Sequence, residues 1–277
     1  MNYAITCKGK ILTITQPIVM GIINTTPDSF FANSRVINME AAVQQAADMV
    51  QAGATILDIG GQSTRPGATQ IGATAEAERV VPVIEAIHKA FPDTLLSVDT
   101  YHAYVAKHAV AAGACMVNDI SGGLLDTDML ATVAELRTPY ICMHMQGTPE
   151  TMQTQPSYQQ VVTDVLDYFI ARIAACTQAG IHDVIVDVGF GFGKTIAHNF
   201  TLLKQLSAFQ ILQKPLLVGL SRKSTIYKTL NITAEEALNG TTVLNTIALQ
   251  QGAAILRVHD VKAACEAITL LKAMEEA

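Results

Sequence analysis

The chain has 277 residues, half of them hydrophobic and only 15% charged, with scarce aromatics and no tryptophan. A net charge of −6 argues against general nucleic-acid binding. Five scattered cysteines (Cys7, Cys115, Cys142, Cys176, Cys265), none in a C-x-x-C pair, argue against a disulfide frame or a zinc site. No apolar run approaches the ~18 residues of a membrane span, and the start MNYAITCKGK has no hydrophobic signal core. A soluble, cytoplasmic protein is therefore expected, with no membrane partner.

In chain order, residues 4–6 and 11–14 meet at a turn around Gly9, which suggests a small hairpin within 1–16 that plugs one end of the fold. Eight short aliphatic runs follow: PIVMGIIN (17–24), TILDIG (55–60), TLLSVD (94–99), CMVND (115–119), PYICMH (139–144), DVIVD (183–187), PLLVGLS (215–221) and AILRVH (254–259). Each is a nearly continuous apolar run, as strands buried on both faces require. Helical periodicity fills the gaps, for example at 39–51, 197–206 and 261–276. Glycines at 53, 113, 180 and 252 close helices two to four residues before a strand. Eight strand–helix alternations with no linker predict one (β/α)8 barrel domain over 1–277, with a doubly wound open sheet as the competitor.

The carboxyl ends of these strands are polar: Asn24, Asp58, Asp99, Asn118 with Asp119, His144, Asp187, Ser221 with Arg222 and Lys223, and Arg257 with His259. Barrel active sites sit at that end. Asp99, Asn118 and Asp187, brought together by closure, suit a flat heterocycle carrying both N–H donors and ring acceptors. Arg222-Lys223 and Arg257-x-His259 end the last two strands, where barrels often bind phosphate. His144 is either a satisfied core histidine or part of the site. Long Ser/Thr/Gly/Pro-rich loops, 24–35 and 60–72, follow the first two strands and read as functional loops over the mouth. DVGFGFGKT (187–195) is not a phosphate loop, because Val188 stands where the first glycine of G-x-x-x-x-G-K-[ST] should be.

Taken together, MGIINTTPDSF, DIGGQSTRPG, SVDT, NDISGG, DVGFGFGKT, GLSRKS, LNGTTVLN and LRVHDV, in this order, resemble the motif set of the bacterial dihydropteroate synthase family. The resemblance implies a (β/α)8 barrel, usually a homodimer. It also implies condensation of 6-hydroxymethyl-7,8-dihydropterin pyrophosphate with p-aminobenzoate, sulfonamides competing for the second substrate. By the same resemblance, Asp99, Asn118, Asp187 and Lys223 hold the pterin, and Asn24 holds Mg²⁺ with the pyrophosphate. Thr64, Arg65, Arg257 and His259 serve the phosphates, and Thr64, Phe190 and Ser224 receive p-aminobenzoate. Asp28, Arg65, Lys223 and Arg257 are the implied catalytic set. Gln62 replaces a usual glutamate, Val188 a usual proline, and FFANSR lacks the family's usual Ser-Asp-Gly-Gly run. Two other readings share a pterin pocket: a methyltetrahydrofolate-binding methyltransferase barrel and a non-catalytic pterin-binding homologue.

Overall fold

Two short strands, β1 (Tyr3–Cys7) and β2 (Lys10–Ile14), pair antiparallel as the expected hairpin. The structure is a computed structural model that describes residues 2–7, 9–25, 35–62, 70–152, 154 and 156–277. After the hairpin, strands and helices alternate: β3 (Ile18–Asn24), α1 (Arg35–Gln51), β4 (Ile56–Gly60), α2 (Ala73–Ala90), β5 (Leu95–Asp99), α3 (Ala103–Ala112), β6 (Met116–Asp119), α4 (Met129–Leu136) and β7 (Tyr140–Met143). The second half adds α5 (Val161–Ala179), β8 (Val184–Asp187), α6 (Ile196–Lys204), β9 (Leu216–Val218), α7 (Ser224–Leu230), α8 (Leu238–Gln250), β10 (Ile255–Val258) and α9 (Val261–Glu275).

All eight strands from β3 to β10 pair in parallel, and β10 pairs with both β9 and β3, so the sheet closes. Closure decides against the open-sheet alternative. The expected strands prove long at their ends: β7, β9 and β10 stop before His144, Ser221 and His259, which lie in the loops that follow. The helix expected over 197–206 instead begins at Ile196, because Thr195 caps it by accepting from the His198 N–H. It ends at Lys204, and a 3-10 turn, Leu206–Leu212, continues the chain.

The barrel interior is layered by the two-residue pleat. Met20, Ile56, Met116, Ile141, Ile185, Leu217 and Ile255 fill the lower layer together with Ile5, Cys7 and Ile14 of the hairpin. The hairpin is therefore the plug of the N-terminal end, and Asp183 ties it down by accepting the Thr6 N–H at 2.9 Å. Outside the strands a second cluster joins the barrel to the helices; in α2 its buried contributors are Ala77, Val80, Val83, Ile84 and Ile87, one helical stripe. Two residues beyond the lower layer the interior turns polar, at Asp58, Asn118, Asp187 and Arg257. Among the described residues no helix is long and apolar enough to cross a membrane.

Candidate active site

One half of the mouth is built by β10, β4, β5 and β6, with β3 lying between β10 and β4. Asp58 in β4 has no solvent exposure. Its Oδ2 accepts from Arg257 Nε at 2.6 Å and from Asn118 Nδ2 at 2.9 Å. Arg257 Nη2 donates to Asp99 Oδ2 at 2.5 Å. Three predicted site residues, Asp99, Asn118 and Arg257, thus form one network, with Asp58 as a fourth member. Burial raises Asp99 to about 7, against the opposing pull of the Arg257 cation. Burial also disfavours the charge on Arg257, but Asp58 and Asp99 more than offset this and hold the guanidinium charged.

The facing half comes from β8, β9 and their loops. Asp187 Oδ1 accepts the Gly189 N–H at 2.8 Å, and burial raises this carboxyl, opposed by Lys223. Lys223 Nζ donates to the Phe190 carbonyl at 2.5 Å and lies 4.8 Å from the centre of the Phe192 ring. Burial lowers Lys223 to about 8, with Asp187 opposing. Gly219 leaves the space between the two charges open: a Cβ there would come 3.7 Å from Lys223 Nζ and 3.9 Å from Asp187 Oδ2. The expectation that Phe190 offers its ring to a ligand is not borne out by its position. That ring has no exposure and belongs to the cluster between barrel and helices, while its carbonyl serves Lys223. The ring that reaches the site is Phe192, half-buried beside the apolar patch of Tyr101, Ile120, Met143 and Met145.

The glycines of DVGFGFG permit close approach to the preceding loop. Gly189 has φ +69°, and a Cβ on it would overlap the His144 carbonyl oxygen; at Gly193, φ +63°, it would come 2.5 Å from the Gln146 carbonyl oxygen. Lys194 fastens this arrangement from beneath. Its Nζ donates to the carbonyls of Gly189 and Phe192, both at 3.0 Å, and sits 2.8 Å from His144 Nδ1. Burial first, then the Lys194 charge, pushes His144 down to about 2, so its neutral ring accepts. His144 is the satisfied core histidine of the two readings left open above.

At the rim, Asn24 ends β3 and is solvent-exposed, and His259 is exposed beyond β10. Ser221 Oγ accepts the His259 backbone N–H at 3.2 Å and lies 3.0 Å from its Nδ1. Ser224 opens α7, half-buried, directly after Lys223. Arg222 is not the phosphate cation that its neighbourhood suggested. Its Nε and Nη2 donate to Asp260 at 2.8 and 2.9 Å, and Nη1 donates to the carbonyls of Ala234 and Glu235. Asp119 is likewise structural: it accepts from Ser121, Gly123 and the Tyr140 hydroxyl, each at 2.7 Å. Asp28, Thr64 and Arg65 lie outside the described residues. The flanks of the second loop do not: Gln62 Nε2 donates to the Tyr101 hydroxyl at 2.5 Å, and that hydroxyl donates to Gln70 Oε1 at 3.0 Å. Tyr101 had gone unnoticed in the sequence, where its only signal is its place two residues past Asp99.

Comparison with known proteins follows the same outline. Residues 20–259 match the family model of pterin binding enzymes. The dihydropteroate synthase of Escherichia coli strain K12 is 45% identical over 268 residues, covering 96% of this chain and 94% of that protein. A Xanthomonas albilineans dihydropteroate synthase structure with 4-aminobenzoic acid superposes with a TM-score of 0.92 at 41% identity, covering both chains fully. A Yersinia pestis dihydropteroate synthase structure with a sulfonamide drug complex gives 0.93 at 43% identity, covering 99% of this chain and all of that one.

Proposed function

The chain belongs to the dihydropteroate synthases among the pterin-binding enzymes, and from that premise we propose how its mouth performs the reaction. The enzyme joins 6-hydroxymethyl-7,8-dihydropterin pyrophosphate to p-aminobenzoate. The exocyclic CH2–O bond breaks, pyrophosphate leaves with the electron pair, and the aryl amine forms the new CH2–N bond and sheds a proton. The observation that carries the site reading is the convergence of Asp99, Asn118, Asp187, Lys223 and Arg257 at one barrel mouth. Carboxylates at 99 and 187 and the amide carbonyl of Asn118 accept the pterin's amino and ring N–H groups, and Lys223 meets its ring acceptors and carbonyl. Arg257 and His259 face the pyrophosphate, joined by Thr64 and Arg65 from the second loop. The half-buried Phe192 ring, not that of Phe190, covers the arylamine, and Thr64 and the Ser224 hydroxyl take its carboxylate end. Asp28 and Arg65 complete the catalytic set from the two loops.

No acid–base triad or protein nucleophile is needed, since the leaving group departs as a stabilised anion and the ring spreads the positive charge. Catalysis is positioning plus electrostatic help to the leaving group. Among the described residues no cluster of three or more His, Cys, Asp or Glu could hold a metal. The exposed amide oxygen of Asn24 is a hard donor, and it fits Mg²⁺ as an ion held mostly by substrate phosphate and water. Asn24 would hold such an ion, which would supply positive charge to the pyrophosphate leaving group.

Leu238 and Val243 on α8 and Leu270 and Met274 on α9, two helices that pack on each other, are exposed large apolar groups. They support a homodimer joined through these helices, which light scattering would measure as a doubled mass. We place the enzyme in the cytoplasm, with sulfonamides competing for the p-aminobenzoate position. Lys223→Ala tests the site: turnover should fall at least 100-fold while the melting temperature moves by only a few degrees. A normal rate, or a loss matched by unfolding, would remove Lys223 from the chemistry.

A further inference from the structure

Asp58 is the carboxylate to which the reaction, as read above, gives no task. It is fully enclosed, whereas the Arg257 side chain keeps 18% exposure and that of Asp99 keeps 17%. A ligand in the mouth therefore reaches Arg257 and Asp99 but not Asp58. Two contacts nevertheless make Asp58 the common support of two ligand-facing groups.

The first concerns Arg257. A guanidinium has a side-on edge, Nε with Nη2, and an end-on edge, Nη1 with Nη2, and either can grip an anion bidentately. Here the side-on edge is used by carboxylates, Nε by Asp58 at 2.6 Å and Nη2 by Asp99 at 2.5 Å. Nη1 makes no hydrogen bond to any described residue. The edge left without a carboxylate is thus the end-on one, which matches two oxygens of a phosphoryl group.

The second concerns Asn118. Its amide could point either way, and the two ends have opposite hydrogen-bonding sense. The partner at 2.9 Å is the same Asp58 Oδ2, an oxygen already engaged as an acceptor by Arg257. A carboxylate oxygen accepts only, so the amide NH2 must face Asp58 and the amide carbonyl must face away from it. That leaves a carbonyl acceptor for a ring N–H.

We propose that Asp58 is a positioning residue of the synthase. One oxygen selects the edge of Arg257 offered to the leaving pyrophosphate and the end of the Asn118 amide offered to the pterin. The proposal rests on the reading of Arg257 as the cation facing the pyrophosphate. Asp58 touches neither substrate; it acts through the two residues that do. Replacing it with asparagine keeps the shape but puts either a neutral oxygen or an NH2 group where the shared acceptor was. The second case leaves two donors facing each other, and Arg257 can then swing its side-on edge into the mouth.

The test is a double-mutant cycle with stability controls. Asp58→Asn should lower kcat/KM for the pterin pyrophosphate about 10- to 100-fold and weaken product inhibition by inorganic pyrophosphate about 10-fold. KM for p-aminobenzoate should change less than threefold, which general loosening of the barrel would not leave intact. In an Arg257→Ala background, Asp58→Asn should cost less than a further threefold in pyrophosphate inhibition, because the edge it selects is gone. Multiplied defects, or an unchanged pyrophosphate constant in Asp58→Asn, would overturn the proposal while leaving the role of Arg257 intact. An Arg257→Ala enzyme with normal pyrophosphate inhibition would instead refute the reading of Arg257, and the proposal with it. Asp58→Ser should repeat the pattern. If neither variant folds, Asp58 belongs to stability and the proposal is wrong.

Discussion

Replacing Gly189 by alanine should separate the two roles of the glycine-rich loop after β8. The residue sits at φ +69°, where a side chain costs about 1–2 kcal/mol in backbone strain. Its new Cβ would also overlap the His144 carbonyl oxygen, so the two loops must part. Lys194 bridges them, 2.8 Å from His144 Nδ1 and 3.0 Å from the Gly189 carbonyl, and a buried hydrogen bond left unmade costs about 1–3 kcal/mol. The sum is about 2–5 kcal/mol, a fall of roughly 5–15 °C in melting temperature for a domain of this size. The same displacement moves the Phe190 carbonyl away from Lys223 Nζ, now 2.5 Å apart, so kcat/KM should fall about 10-fold in the protein that remains folded. Gly191→Ala is the control. It has the same strained sign, φ +84°, but its Cβ would meet only Lys223 Cδ at 3.5 Å, so about 1–2 kcal/mol should be lost. Calorimetry and steady-state kinetics on both variants decide the matter. Equal melting temperatures for the two would refute the close-approach argument, and a normal rate for Gly189→Ala would refute its link to Lys223.

Other expectations concern charge and the second loop's flanks. Glu76 in α2 is raised to about 7 from a usual 4.5, by burial first, with Thr100 opposing; Asp99 and Arg79 act on it more weakly, and His102 Nε2 lies 3.9 Å away. The folded state therefore holds the proton more tightly between those values, and stability should fall as pH rises from 4.5 to 7, by up to about 3 kcal/mol. Glu76→Gln should flatten that slope and be the more stable protein at alkaline pH; urea titrations with parallel pH dependence would contradict this. Tyr101→Phe removes both hydrogen bonds between the flanks and should cost about 1–2 kcal/mol. Gln62→Glu should cost less, because a carboxylate still accepts the Ile71 N–H and can take the Tyr101 hydroxyl proton in exchange for that hydroxyl's bond to Gln70. The reverse order in urea denaturation would show that Tyr101 is not the hub.

Much of this architecture is legible in the sequence because buried parallel strands write themselves as apolar runs. All eight runs are barrel strands, and the polar residue at each end marks the mouth. Period two also places Asp58, Asn118, Asp187 and Arg257 one pleat above the apolar plug. What escaped was pairing between distant residues and orientation within irregular backbone. Arg222 and Lys223 are adjacent and alike in charge, yet φ +53° at Arg222 turns it towards Asp260 while Lys223 reaches the mouth. Phe190 and Phe192 share a Gly-Phe repeat with neither helical nor strand period, so no rule told the buried ring from the half-buried one. The Asp58 partner Arg257 lies 199 residues away, beyond any local pattern. Nothing in GFGKT signals that the Lys194 side chain is enclosed by carbonyls.

Incubation of the purified chain with Mg²⁺, 6-hydroxymethyl-7,8-dihydropterin pyrophosphate and p-aminobenzoate, with products identified by mass, is the decisive assay of synthase activity. The expected products are 7,8-dihydropteroate and pyrophosphate in equal amounts, with formation abolished in Lys223→Ala. Binding of both substrates with no product formed would contradict synthase activity.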